Sequence, residues 1–178
     1  MPLGMRGLLL LFQKKISIFL RLANFLLIAV SWVLALYSYP RLPKLVPLSL
    51  KLFGRQIIES DKSLWFFLYP AVQTLFVIVF LVQAKGRPLG KPRLEVEQSP
   101  KDAEITEALR DLRKEWLFLT LIFINLVFIH LQTSLILLAH HIGRGVNEYY
   151  FFSLIAVLVI LIPYYRIRRS LITKGLRR

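Results

Sequence analysis

The chain contains no cysteine, which excludes disulfides, thiolate metal sites and cysteine nucleophiles. Methionine is confined to Met1 and Met5, outside every long apolar run. Acidic residues are scarce: 10 Asp and Glu stand against 24 Lys and Arg, for a net charge of +14. Charged residues make up only 19% of the 178, below the roughly 25% of soluble domains. What fills the chain instead is apolar, with 56% hydrophobic and 13% aromatic residues. High hydrophobicity combined with positive charge describes a bilayer protein with basic flanks.

Four apolar runs stand out, at about 16–39, 64–82, 116–138 and 149–165. A span needs about 17–25 residues, and each run fits. The expectation is an all-α polytopic membrane protein: one transmembrane domain over 1–178 with four transmembrane helices. Aromatics cluster near the run ends, at Trp32, Tyr37, Trp65, Trp116, Tyr149, Tyr150, Tyr164 and Tyr165, where amphipathic rings prefer to lie. Eighteen of the 24 Lys and Arg fall in the N-terminal segment, the 84–115 loop and the tail, and six in the 40–62 and 140–148 loops. The basic side is predicted to be cytoplasmic, so both termini are expected there, with loops 40–62 and 140–148 outside. Arg21 then snorkels to the inner headgroups. The first run is expected to be retained, because Ala35-Leu36-Tyr37 puts a bulky Tyr where a signal-cleavage site needs a small residue. Residues Gly7 to Phe12 are too short to span and are expected to lie along the inner interface.

The first half of the 84–115 loop carries Gly86, Pro88, Gly90 and Pro92 and reads as irregular. Ser99 then reads as an N-cap, with Pro100 in the first helical position and Asp102 and Glu104 in the first turn. Ile105, Ala108, Leu109, Leu112 and Trp116 recur at helical spacing, which predicts a helix from Pro100 into the third span. Its apolar stripe packs on another protein, on headgroups or, most simply, on its own bundle. The outward 40–62 loop is both basic and leucine-rich, with Leu42, Leu45, Leu48, Leu50, Leu52 and Phe53. So much apolar surface requires a cover: the bundle, the lipid interface or a partner. Gly54 is placed to end a short helix begun after Pro47.

The same loop carries a spaced pattern: Leu42-Pro43, Val46-Pro47, Gly54, Lys62 eight residues on, and Pro70 in the second span. Over residues 20–80 this resembles a family of membrane proteins known as the domain of unknown function 1648, also found in SdpI-type immunity proteins. The family segment reads roughly L-P-x-x-I-P-x-H-F-x-x-x-G. Here Ser49 holds the usual His position, Leu50 the usual Phe, and Ile57 the usual acid, so no His-dependent role carries over. What remains is the scaffold of prolines, a turn glycine and a Lys at the membrane surface. The resemblance implies a multi-pass protein of the bacterial inner (plasma) membrane, without catalytic activity, and with a distant link to immunity against secreted peptides.

Chemistry-bearing residues are few. His130, His140 and His141 all lie on or after the third span. His130 falls near the midplane, where a charge is costly, and is expected to be neutral and hydrogen-bonded between helices. His130 and His141 are about three turns apart and are expected to share a face. Haem ligation within the chain needs a His from a second helix, and none is offered, so no cofactor is expected. A His130 site shared with another subunit stays open. Asn125, Gln132, Thr133 and Ser134 on the third span, and Gln73 and Thr74 on the second, are expected to bond across helices at roughly 0.6–2 kcal/mol each. No Asp or Glu lies in any of the four runs, which counts against proton-coupled transport. Phosphate loops, metalloprotease motifs and nucleophile elbows are absent from the sequence, so no enzyme is expected. The tail, with Arg166, Arg168, Arg169 and Lys174, is read as facing anionic lipid of the cytoplasmic leaflet rather than nucleic acid. The sequence therefore predicts a non-catalytic protein acting by protein–protein interaction: an accessory subunit of a larger membrane complex, or a sensor or immunity-type protein. Its contact residues are expected in the outward loop, at Leu42, Pro43, Pro47, Leu48, Leu52, Phe53, Gly54 and Lys62. The rival is a small membrane transporter.

Overall fold

A computed structural model describes residues 3–47, 59–62, 64–85, 100–142 and 146–177. Helix α1 spans Leu3–Ser38 and is followed by a 3-10 turn, Tyr39–Arg41. Two three-residue strands follow, β1 (Leu45–Pro47) and β2 (Glu59–Asp61), then a second 3-10 turn, Leu64–Phe67. Helices α2 (Leu68–Lys85), α3 (Pro100–Ala139) and α4 (Glu148–Arg177) complete the chain. All four helices are long and apolar enough to cross a membrane, so the protein is an all-α, multi-pass integral membrane protein. The strands pair antiparallel, with Leu45 opposite Asp61 and Val46 opposite Ser60, and make only a clip in the loop between α1 and α2.

Helices are the natural form for these segments because lipid offers backbone groups no hydrogen-bond partner. Three of the four outrun the apolar runs, while α2, with 18 residues, matches its own closely. Helix α1 has 36 residues, about 54 Å at 1.5 Å per residue, against a hydrocarbon core of about 30 Å. The apolar stretch 7–12 is thus part of the same continuous helix. Helix α3, with 40 residues, carries the Pro100 helix into the third span without a break. Ser99 lies outside the described residues. The stripe on its first turns faces the bundle: Leu112 is buried, and Ile105, Ala108 and Leu109 are half-buried. Helix α4 runs through Pro163 to Arg177, past the expected end at 165. A proline there removes one intrahelical N–H without ending the helix.

Two helix ends are set by local chemistry. At the end of α3, the His141 amide donates to the Leu138 carbonyl at 3.0 Å and the Ile142 amide to the Leu137 carbonyl at 3.0 Å. His141 itself has φ 58°. This is the Schellman arrangement, with histidine in the left-handed position that glycine usually fills. It removes His141 from the helix, so the expected face shared with His130 does not exist. At the start of α4, the Asn147 side-chain oxygen accepts the Tyr150 amide at 3.2 Å and its carbonyl accepts the Phe151 amide at 3.0 Å, an N-cap.

Helix α3 is the hub: α1, α2 and α4 all pack on it, and α4 packs mainly there. The start of α1, which runs parallel to α3, and the last turns of α4 lie at one end of the bundle, where Arg168 of α4 meets Glu115 of α3. The interior mixes both kinds of group: Asn24, Ser31, Ser38, Gln73, Asn125, Gln132 and Ser134 are buried among Leu20, Ala35, Val77, Leu117, Leu121, Leu135 and Leu154. The outer faces carry Phe19, Leu26, Val33, Leu75, Val82 and Ile160, all exposed. That distribution suits a bilayer, where apolar side chains are at ease facing lipid and polar ones are driven to find hydrogen-bond partners inside the bundle.

Candidate functional site

The polar part of the interior is built by α1 and α3. Asn125 Nδ2 donates to Asn24 Oδ1 at 2.9 Å. Asn24 Nδ2 donates in turn to the carbonyls of Leu20 at 2.8 Å and Phe118 at 3.1 Å. Seven residues further along both helices, Ser31 Oγ donates to Gln132 Oε1 at 2.7 Å, and Gln132 Nε2 donates to the Ser31 carbonyl at 3.1 Å. The sequence offset is 101 residues at both levels, so the two helices run parallel in one register. A seven-residue repeat is the period of left-handed helix packing. Ser31 and Ala35, four apart and both fully buried, provide the small surface that allows close approach.

Helix α2 joins this seam through Trp32, whose indole N–H donates to Thr74 Oγ1 at 3.0 Å, while Thr74 donates to the Pro70 carbonyl at 2.7 Å. The next residue back, Gln73, is fully buried with neither amide atom hydrogen-bonded. Of the groups expected to bond across helices, Asn125, Gln132 and Thr74 do so, Thr133 instead donates to the Ile129 carbonyl of its own helix at 2.8 Å, and Gln73 does neither. Asn24, Ser31 and Trp32 were missed as sites. Their signal was present, since Asn24, Ser31 and Ser38 repeat every seven residues inside an otherwise apolar run.

At the end of the bundle away from both termini, Lys62 ties the loop to α1. Its backbone amide donates to the Lys44 carbonyl at 2.7 Å. Its ammonium donates to the carbonyls of Pro40 at 3.3 Å and Leu42 at 3.4 Å and lies 4.7 Å from the centre of the Tyr39 ring. A cation fits here because carbonyls past a helix C-terminus are left without amide partners and carry partial negative charge, and the ring face adds cation–π attraction. Tyr39 packs on Phe66 and Phe67, with ring centres 6.2 and 4.9 Å away, and Leu42 is buried with Ala35, Phe66, Leu135 and Ala139. Leu42 therefore covers itself by packing back onto the bundle.

Between this clip and the helices lies a pocket of about 280 Å³. Leu42, Val46, Phe66, Val72, Phe128 and Leu135 form apolar walls, Tyr69 and Trp65 add rings, and Asp61 and Lys62 supply the charges. Such a mixture, apolar walls with a few polar groups, is the usual make-up of a binding pocket. Of the loop residues singled out from sequence, Leu42 and Lys62 line the pocket, and Pro43 is half-buried beside it in sequence. Pro47 closes β1. Leu48, Leu52, Phe53 and Gly54 lie outside the described residues.

His130 does not make the interhelical hydrogen bond expected of it. Its Nε2 is buried without a partner, and its ring meets Tyr150 of α4 edge-on with centres 4.8 Å apart. In the tail, Arg168 donates to Glu115 Oε1 at 2.6 Å and to the Tyr164 hydroxyl at 2.7 Å. Arg168 is therefore a clamp between α4 and α3 rather than a lipid-facing charge, while Arg166, Arg169 and Lys174 are exposed. Trp116, next to Glu115, donates its indole N–H to the Leu161 carbonyl at 3.1 Å and packs on Tyr165 at 5.1 Å, so the same two helices are joined twice. Among the described residues, no group of three or more His, Asp or Glu side chains is placed to hold a metal. No family model, curated protein or solved structure matches the chain.

Proposed function

We propose that the protein is a non-catalytic membrane subunit that acts by binding another membrane protein at the end of its bundle remote from the termini. The observation carrying this reading is the Lys62-anchored clip with its 280 Å³ apolar pocket. Around it, Leu45, Leu64 and Trp65 are more than half exposed, a combination of rigid support and uncovered apolar rim that suits a docking site. Lys62 fixes the loop beforehand, which lowers the ordering cost of association. On this reading the loop faces outward from a bacterial inner membrane, as the basic-residue asymmetry predicts. A transporter is the weaker reading, since no Asp or Glu lies in any of the four apolar runs to carry a coupling proton.

A photoreactive amino acid at Trp65 tests the proposal in cells. The expected result is a discrete heteromeric adduct, absent when the probe sits at lipid-facing Ile160, and lost when Leu45 and Val46 are both replaced by Ser. Equal labelling at both positions, or lipid adducts alone, overturns it.

A further inference from the structure

At the opposite end of the bundle, three cations from two helices surround one hollow. Ser17 and Arg21 stand one turn apart on α1, Arg110 and Lys114 one turn apart on α3, and both pairs line a cavity of about 420 Å³. One-turn spacing puts each pair on one helix face, so the two faces present a hydroxyl, two guanidinium groups and an ammonium to the same space. Leu81 of α2 and Phe118 of α3 complete the lining on the apolar side. Lys114 also contacts Asp111 at 3.2 Å, and the Arg21 guanidinium lies 5.8 Å from the Phe25 ring. Among the described residues, neither Arg21 nor Arg110 has a carboxylate in ion-pair reach. Counting the described residues, the hollow thus keeps a net positive charge.

Three like charges offset by one carboxylate, Asp111, still repel, and a shared anion relieves the repulsion. Guanidinium groups favour phosphate because their planar fork matches two of its oxygens. The apolar side sets the source: Leu81 and Phe118 have nothing to offer a free ion, but they fit the first carbons of an acyl chain. Basic hollows between membrane helices are established binding places for lipid phosphates. We infer that the hollow formed by Ser17, Arg21, Arg110 and Lys114 binds the phosphate headgroup of an anionic glycerophospholipid in the leaflet on the side of the termini. This is a built site, distinct from general attraction of the exposed tail to a charged membrane, and it is independent of the proposed docking role at the other end.

The test uses the full chain purified in detergent. Native mass spectrometry would count retained lipid after addition of phosphatidylglycerol, phosphatidylcholine or inorganic phosphate. The expected result is one tightly held phosphatidylglycerol, outcompeting phosphatidylcholine, with inorganic phosphate at millimolar concentration displacing little of it. Each of Arg21→Gln, Arg110→Gln and Lys114→Gln should weaken retention about fivefold, at the ~1 kcal/mol expected per basic residue near anionic lipid. Arg166→Gln with Arg169→Gln, in the exposed tail, should leave it unchanged. Equal retention of the two lipids by the unaltered chain overturns the inference, and so does full displacement by inorganic phosphate. Loss through the tail variant but not the hollow variants does the same. Because the lipid comparison uses the unaltered chain, misfolding of a variant does not shelter the proposal.

Discussion

Asn24 and Asn125 lie 101 residues apart in sequence, and their side-chain amides meet at 2.9 Å inside the bundle. The contact fixes α1 against α3 at a depth where neither group has water as an alternative. Hydrogen bonds between membrane helices average about 0.6 kcal/mol and reach about 1.7. A double-mutant cycle of Asn24→Ala and Asn125→Ala, read by denaturation in mixed detergent micelles, should give a coupling in that range. A coupling of zero means the two residues do not act as a pair.

Gln73 presents the opposite case. It is fully buried, and its amide has no hydrogen-bond partner. Leaving a buried polar group unpaired costs about 1–3 kcal/mol. Gln73→Leu, close to it in size, should therefore raise the stability of the purified chain by about 1 kcal/mol or more. A loss of stability would reveal a partner for Gln73 outside the chain's own helices.

His141 holds a left-handed conformation at the end of α3. Glycine takes that conformation without the steric cost imposed by a Cβ. His141→Gly is expected to stabilise the helix end by about 0.5–1 kcal/mol, and His141→Val to destabilise it by more. Thermal unfolding of the two variants side by side checks the order.

Arg168 and Glu115 join α4 to α3 at 2.6 Å in a partly exposed setting. Such pairs are worth about 0–1 kcal/mol and weaken with salt. Glu115→Gln should cost no more than this at low salt, with the difference shrinking at 1 M salt. A large, salt-independent loss would mean that the residue supports packing rather than charge.

Orientation follows from the basic-residue count and is open to direct test. Cysteine placed at Lys101 or Ser170 should resist an impermeant thiol reagent in intact cells, and cysteine at Ser60 should react. The reverse pattern inverts the predicted topology.

The sequence by itself determined the class of the protein. Four runs of about twenty apolar residues without acids leave lipid as the only solvent in which they are stable, and the helix from Pro100 was legible in the spacing of Ile105, Ala108, Leu112 and Trp116. It also identified Asn125 and Gln132 as bundle-facing, because a polar group in a span must find a partner. Tertiary structure decided which partner. Asn24 and Ser31 recur seven residues apart in a run of leucines, but their partners were fixed only when α3 lay parallel beside α1 in the same register. Arg168 read as one more basic residue of the tail until α4, continuing through Pro163, brought it to Glu115. The extents of α1 and α4 were misjudged for a related reason: hydropathy marks where lipid ends, whereas helical hydrogen bonding can continue past it, as it does to Arg177 in α4. Arg21, Arg110 and Lys114 lie up to 93 residues apart in the chain, and only the packing of α1 on α3 places their charges around one hollow.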